Sequence, residues 1–192
     1  MGETSQRSRR LVARVKGGDP IWLSKYAWRT HEQATQFDRF PGFFSGDVTA
    51  IPVPGRAPLV TGALWVPSLI ALQLQNQGLV DVVWPGLRRI RPVTKSATAA
   101  RGERPSVAEH FESLAIEDAL ISPRKIVLID DVVTKGRTLL AAGTRVREAF
   151  PQAEIRAFAL VRTMGLVPDV TNFLTPCVGS IVWRGEDAER EP

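Results

Sequence analysis

The sequence predicts an α/β domain built on a mainly parallel sheet flanked by helices. Apolar runs of strand length alternate with segments of helical period; residues 126–129 are continuously apolar, as suits a strand buried on both faces. After Gly136, the residues Leu139, Ala142, Val146 and Ala149 recur at helical spacing until Pro151 ends the element. Taken in order, residues 11–15 predict a short strand, and residues 21–37, with Trp22, Tyr26 and Trp28, a helix. Residues 48–54 predict a strand closed by Pro52 and Pro54, followed by the turn-rich loop Gly55-Arg56-Ala57-Pro58. A helix over 67–77 has proline in its first turn and Gly78 past its end, and 79–84 form a second strand ending at Pro85-Gly86. Residues 87–105 are charged, small or polar without either period and predict a mobile loop. Ser106-Val107-Ala108-Glu109 has capping-box spacing and predicts a short helix through Phe111. Further strands are expected over 155–161 and, as an edge or cap, over 179–183. This divides the chain into an N-terminal extension or cap (1–46), a core (47–163), and a C-terminal cap strand with an acidic tail (164–192).

Composition narrows the chemistry. The 192 residues, 44% hydrophobic, suffice for one sizeable core. One cysteine, Cys177, excludes an internal disulfide framework and multi-cysteine zinc modules, and two histidines, His31 and His110, offer little for a metal site, so a metal is expected to arrive with a substrate. No apolar run of roughly 18 residues is present and the N-terminal segment lacks a signal-peptide core, so a cytoplasmic protein without a membrane span is expected. The net charge of +5 and pI near 10.0 favour anionic partners, small or polymeric. Basic residues cluster at Arg7, Arg9, Arg10, Arg14 and Lys16, and again at Arg88, Arg89, Arg91 and Lys95; either cluster also fits an ordinary solvated surface.

The informative stretch is Val127-Leu128-Ile129-Asp130-Asp131-Val132-Val133-Thr134-Lys135-Gly136-Arg137-Thr138. Adjacent carboxylates at the end of a buried strand are costly unless they meet solvent, a cation or hydroxyl groups. Behind Asp130 and Asp131 the chain enters a helix, whose N-terminal amides and dipole suit a phosphate. Gly136 permits close backbone approach, Thr134 and Thr138 supply hydroxyls, and Lys135 or Arg137 can add positive charge. A ligand with a phosphate on one side and vicinal hydroxyls on the other, such as ribose 5-phosphate, matches this pattern.

The stretch closely resembles the signature of type I phosphoribosyltransferases, and residues 47–163 follow that superfamily's order of elements. Within it, Ile51-Pro52-Val53-Pro54 and Arg91-Pro92-Val93-Thr94-Lys95-Ser96 are similar to the ComF-type, amidophosphoribosyltransferase-like proteins of bacterial competence. The chain departs from that group in lacking an N-terminal cysteine cluster and in carrying Lys135 where a small hydroxyl residue or alanine is usual. The resemblance implies that Asp130 and Asp131 bind the ribose hydroxyls, directly or through Mg2+ and its waters, while Val133, Thr134, Lys135, Gly136, Arg137 and Thr138 hold the 5-phosphate. It places Gly55 and Arg56 where pyrophosphate binds, and Lys95 and Arg101 in a loop that closes over the diphosphate. It implies an enzyme acting on phosphoribosyl pyrophosphate (PRPP) or a nucleoside monophosphate with a nitrogenous acceptor, as a homodimer. A catalytically weak PRPP or nucleotide sensor, or a nucleic-acid-associated protein using the basic N-terminal segment, is the competing expectation.

Other residues read as structural. His110 is expected on a helix surface, Cys177 as a partly buried small hydrophobe, and Trp22, Trp28, Trp65, Trp84 and Trp183 in the core or a subunit interface. One of these, or Phe173, is the candidate for facing a nucleobase.

Overall fold

The computed structural model describes residues 2–94, 105–118, 121–163, 170, 176–185 and 187–191. The chain begins with two helices, α1 (Glu3–Lys16) and α2 (Pro20–Thr35), followed by β1 (Val48–Pro52), α3 (Val66–Asn76), β2 (Val82–Val83) and β3 (Leu87–Arg89). Then come α4 (Val107–Glu112), β4 (Leu114–Ile116), β5 (Lys125–Val133), α5 (Arg137–Ala149), β6 (Glu154–Arg162), β7 (Ser180–Trp183) and β8 (Ala188–Glu191). Four of the strands form one sheet in the order β2-β1-β5-β6, with every neighbouring pair parallel. The α/β class and parallel sheet follow the sequence expectation.

Side-chain alternation along β1 and β5 divides the core in two. Val48, Ala50, Val127 and Ile129 face one side, where Val15 of α1, Leu23 and Ala27 of α2, and Ile70 and Leu74 of α3 cover them. Ile51, Ile126 and Leu128 face the other, against Val107 of α4 and Leu139, Ala142 and Val146 of α5. Residues 126–129 are at most 1% exposed, so each large side chain there contributes about 1.5–3 kcal/mol of burial. The sheet turns outward in both directions from its middle. β1 runs through α3 to β2 on one side, and β5 runs through α5, on the opposite face, to β6 on the other. The line between β1 and β5 is therefore a topological switch point, where parallel sheets open a crevice at their carboxyl ends.

Local signals set the helix starts. Asp19 caps α2 by accepting from the Ile21 and Trp22 amides at 3.1 and 3.3 Å, with Pro20 in the first turn. The capping box of α4 is complete: Glu109 N donates to Ser106 Oγ at 3.1 Å and Ser106 N to Glu109 Oε2 at 2.7 Å.

Three expectations are corrected. Residues 11–15 belong to helix α1, because Leu11 and Val15, four apart, both meet the core from one helical face. The segment expected as a structureless loop begins with β3, which pairs antiparallel with β4, so that Leu87 and Arg89 alternate onto one buried face. The acidic tail is a strand: β8 pairs antiparallel with β7, and Arg184 bridges to Glu189 and Glu191. Among the described residues no helix is long and apolar enough to cross a membrane.

Candidate functional site

β5 leaves the core at its acidic pair. Residues 126–129 are buried, and the strand becomes half-buried from Asp130 onward. The Asp131 amide donates to Asp130 Oδ1 at 2.9 Å and the Val132 amide to Asp131 Oδ1 at 2.7 Å, so each carboxylate is held by the amide of the residue that follows it. Burial, with the adjacent Asp131 charge second, pushes the Asp130 carboxyl up to about 7. A neighbouring cation is Lys16, whose ammonium stands 3.4 Å from Asp131 Oδ2. The N-terminal helix thus supplies a group to the site, which its sequence position gave no reason to expect.

Register carries the second part of the site to the same edge. Pro52 lies opposite Ile129 and the Val53 amide donates to Ile129 O at 2.8 Å, so the Gly55-Arg56-Ala57 loop and the acidic pair emerge side by side at the switch point. Both Gly55 and Arg56 are exposed.

The third part is the turn into α5. Asp130, Val132, Val133, Thr134, Lys135, Gly136, Arg137 and Thr138, together with His110 and Leu139, line one open concavity. Gly136 is the N-cap of α5 with φ 88°, a left-handed conformation that favours glycine. A Cβ at that position would also lie 2.7 Å from Ile181 Cδ1 of β7, so glycine serves both the turn and the close approach of the C-terminal hairpin. α5 has no side-chain cap, which leaves its first-turn amides without a side-chain acceptor where Gly136 to Leu139 line the concavity.

The two cations of this turn are engaged elsewhere. Asp187, in the turn between β7 and β8, receives Lys135 Nζ at 2.7 Å and Arg137 Nη2 at 2.8 Å on Oδ2, while Arg137 Nε donates to Oδ1. Hydrogen bonding to Arg137, with Lys135 behind it, holds the Asp187 carboxyl well below the usual carboxylate range. The neutralising carboxylate lies some fifty residues downstream, so the charge alone made Lys135 and Arg137 look available. Backbone amides and the hydroxyls of Thr134 and Thr138 are the remaining anion-binding groups of the turn.

His110 corrects an expectation. It is 6% exposed, with Nε2 3.5 Å from Thr138 Oγ1, because the capping box sets the rotation of α4 so that this face packs against α5. Burial, aided by the charge of Arg89, pulls its pKa down to about 4, and the ring is neutral at pH 7. Arg89 is a second correction: inside a basic run it reads as a solvated charge, yet it is 4% exposed. The available signal was period-two alternation with Leu87, which places Arg89 inward and Arg88 outward. Cys177 is exposed rather than partly buried. Trp28 and Trp183 are 52% and 51% exposed, whereas Trp22, Trp65 and Trp84 are half-buried. Lys95, Arg101 and Phe173 lie outside the described residues.

Fold and site together define an α/β protein with an open concavity at the switch point of a parallel sheet, flanked by an acidic strand end and a helix N-terminus. No protein-family model matches the chain, and no curated protein matches it significantly.

Proposed function

We propose that this protein is a phosphoribosyltransferase of the type I fold, which binds PRPP with Mg2+ at the switch point and transfers the phosphoribosyl group to or from a nitrogenous acceptor. The observation that carries the reading is the juxtaposition of Asp130 with the uncapped N-terminus of α5 in one concavity, with Asp131 next to it at the strand end and paired with Lys16. That arrangement suits a sugar with vicinal hydroxyls beside a phosphate, and the Gly55-Arg56 loop across the switch point suits the diphosphate. Asp130 and Asp131 fit a hard cation. Mg2+ commonly takes one or two carboxylates and completes its shell with water and substrate phosphates, and the described residues hold no group of three or more candidate ligands that would enclose it.

In the reaction, a bond forms between the acceptor nitrogen and the anomeric carbon, and the bond from that carbon to the diphosphate oxygen breaks. The electron pair leaves with pyrophosphate, and the proton lost by the nitrogen passes to solvent or to the leaving group. The acidic pair holds the ribose hydroxyls in register, the α5 amides and threonine hydroxyls fix the 5-phosphate, and Arg56 offsets charge that grows on the diphosphate. Bound Mg2+ would neutralise part of that negative charge. We assign this activity to the cytoplasm and to a homodimer, for which exposed Trp28 and Trp183 offer subunit contacts. Titration calorimetry of the whole chain with PRPP tests the reading: Mg2+-dependent binding is expected in the roughly micromolar to millimolar range usual for enzyme substrates. No heat at millimolar PRPP with excess Mg2+ would overturn it. A pyrophosphate-release screen with purine, pyrimidine and amine acceptors would then identify the acceptor.

A second reading, a nucleic-acid-associated protein, draws on one cluster. Arg14 lies 4.5 Å and Lys25 5.1 Å from the ring centre of Trp22, which stacks on Tyr26 at 5.8 Å. Val15, Leu23 and Ala27 hold α1 and α2 to the core, and the basic and aromatic side chains around Trp22 on their outer side suit a polyanion with planar rings. Deleting α1 would remove Val15 from the core, so substitution is the cleaner probe. The Arg10→Gln/Arg14→Gln/Lys25→Gln variant is expected to bind a fluorescent 20-nucleotide single strand with a shallower log–log salt slope, by roughly 0.7 for each phosphate it no longer neutralises. Slopes that coincide for variant and wild type would end this reading.

A further inference from the structure

The basic run in β3 contains a residue that its surroundings do not treat as a surface charge. Arg89 is 4% exposed, and among the described residues no carboxylate pairs with it. Its Nε donates to Gly55 O at 2.8 Å, its Nη1 donates to His110 O at 3.4 Å and to Ser113 Oγ, and its Nη2 is buried without a hydrogen-bond partner among the described residues. A buried guanidinium with no carboxylate in contact is costly even with the charge of Asp130 nearby, and a leucine or methionine would fill the space beside Leu87 without that penalty. The side chain is therefore retained for what its fork holds.

What it holds is the loop after β1. The peptide between Gly55 and Arg56 is trans, so its carbonyl and its N–H point in opposite directions. With the carbonyl drawn inward to Arg89, the Arg56 N–H is turned outward, on a loop whose residues are exposed. The next carbonyl, Arg56 O, accepts from Val93 N at 2.8 Å, which fixes the following peptide too. Through His110 O the same guanidinium grips the helix whose His110 ring lines the concavity against Thr138. One buried side chain thus joins the Gly55 loop to the wall of the phosphate turn.

We infer that Arg89 is the positioning residue of the diphosphate half of the site: it aims the Arg56 amide at a diphosphate and sets that loop's distance from the phosphate turn. This rests on the reading of the site given above. The fork matters more than the charge, because a lysine at 89 would keep a cation but could not hold Gly55 and His110 together.

The test is calorimetry of Arg89→Met and Arg89→Lys with two separate probes, magnesium pyrophosphate and ribose 5-phosphate, alongside thermal melts. Both variants are expected to lose at least tenfold in pyrophosphate affinity and to stay within twofold of wild type for ribose 5-phosphate. The split is a readout that general loosening of the fold does not produce, and Arg89→Lys supplies it if Arg89→Met does not fold. Equal losses for both probes, or unchanged pyrophosphate binding by a folded variant, would overturn the assignment. Wild-type protein that binds ribose 5-phosphate but not pyrophosphate overturns it while leaving the phosphate turn intact. Binding of neither probe removes the assignment together with the proposed function.

Discussion

Replacing Asp130 and Asp131 together by asparagine is expected to abolish measurable binding of magnesium–PRPP, a loss of at least about 100-fold, while making the ligand-free protein more stable at pH 8. The two effects share one cause. Asp130 is half-buried at the end of β5 beside a second carboxylate, and its pKa is raised from 3.8 to about 7. A group whose folded-state pKa is raised stabilises the fold below its unfolded value, and that contribution disappears as pH rises through the folded value. The ligand-free wild type should therefore lose stability between pH 4 and pH 7, where the unfolded chain ionises this carboxyl while the folded protein keeps it protonated. Asparagine removes that penalty, at most about 4 kcal/mol for a carboxyl displaced from 3.8 to about 7, so the melting temperature at pH 8 should rise by several degrees. The lost partner is worth less, because Lys16 meets Asp131 at 3.4 Å with its side chain 56% exposed, and such surface pairs contribute about 0–1 kcal/mol. Thermal melts of both proteins from pH 4 to pH 8, with calorimetry at pH 8, check both halves. A variant that still binds PRPP moves the ribose site elsewhere, and one without the stability gain shows that the acidic pair is not strained when empty.

Asp187→Asn is expected to act in the opposite sense on both quantities. It leaves Lys135 and Arg137 without the carboxylate that now receives 2.7 and 2.8 Å hydrogen bonds from them, with the Arg137 and Asp187 side chains only 23% and 28% exposed. Loss of this forked pair should lower stability by about 1–3 kcal/mol and loosen the β7–β8 hairpin from α5. The same change unmasks two positive charges beside the α5 N-terminus, so affinity for ribose 5-phosphate should rise about tenfold at low salt, and the gain should shrink as salt is added. Acid should mimic the loosening in the wild type. The Asp187 pKa is depressed below 3.8, so its contribution is complete above that value and is lost only as pH falls below it. Phosphate titrations at two salt concentrations and an acid melt provide the check. Weaker phosphate binding by Asp187→Asn would mean that Asp187 organises the turn rather than masking it.

Both predictions concern residues that differ in how far they could be read from the chain. The emergence of Asp130 and Asp131 from an apolar run, the glycine at the start of α5 and the Ser106–Glu109 capping box are local patterns, each set within a few residues. Parallel pairing also followed, because β1-α3-β2 and β5-α5-β6 are each a strand, a helix and a strand in sequence. Residues 11–15 differ from the expectation because five mostly apolar residues fit either period, and packing of Leu11 and Val15 against the sheet decided for the helix.

The turn from Asp130 to Thr138 was determined by the sequence alone: its strand, its acidic pair and its helix start follow from backbone propensity and apolar periodicity, which act over one or two turns of chain. Which of its charges face a ligand was decided only by the tertiary structure. Asp187 reaches Lys135 and Arg137 from fifty-two and fifty residues away, Lys16 reaches Asp131 from 115 residues away, and Arg89 meets Gly55 from thirty-four. The electrostatics of a site depend on distance in space and on exclusion of water, and neither is fixed until the sheet has brought distant segments together.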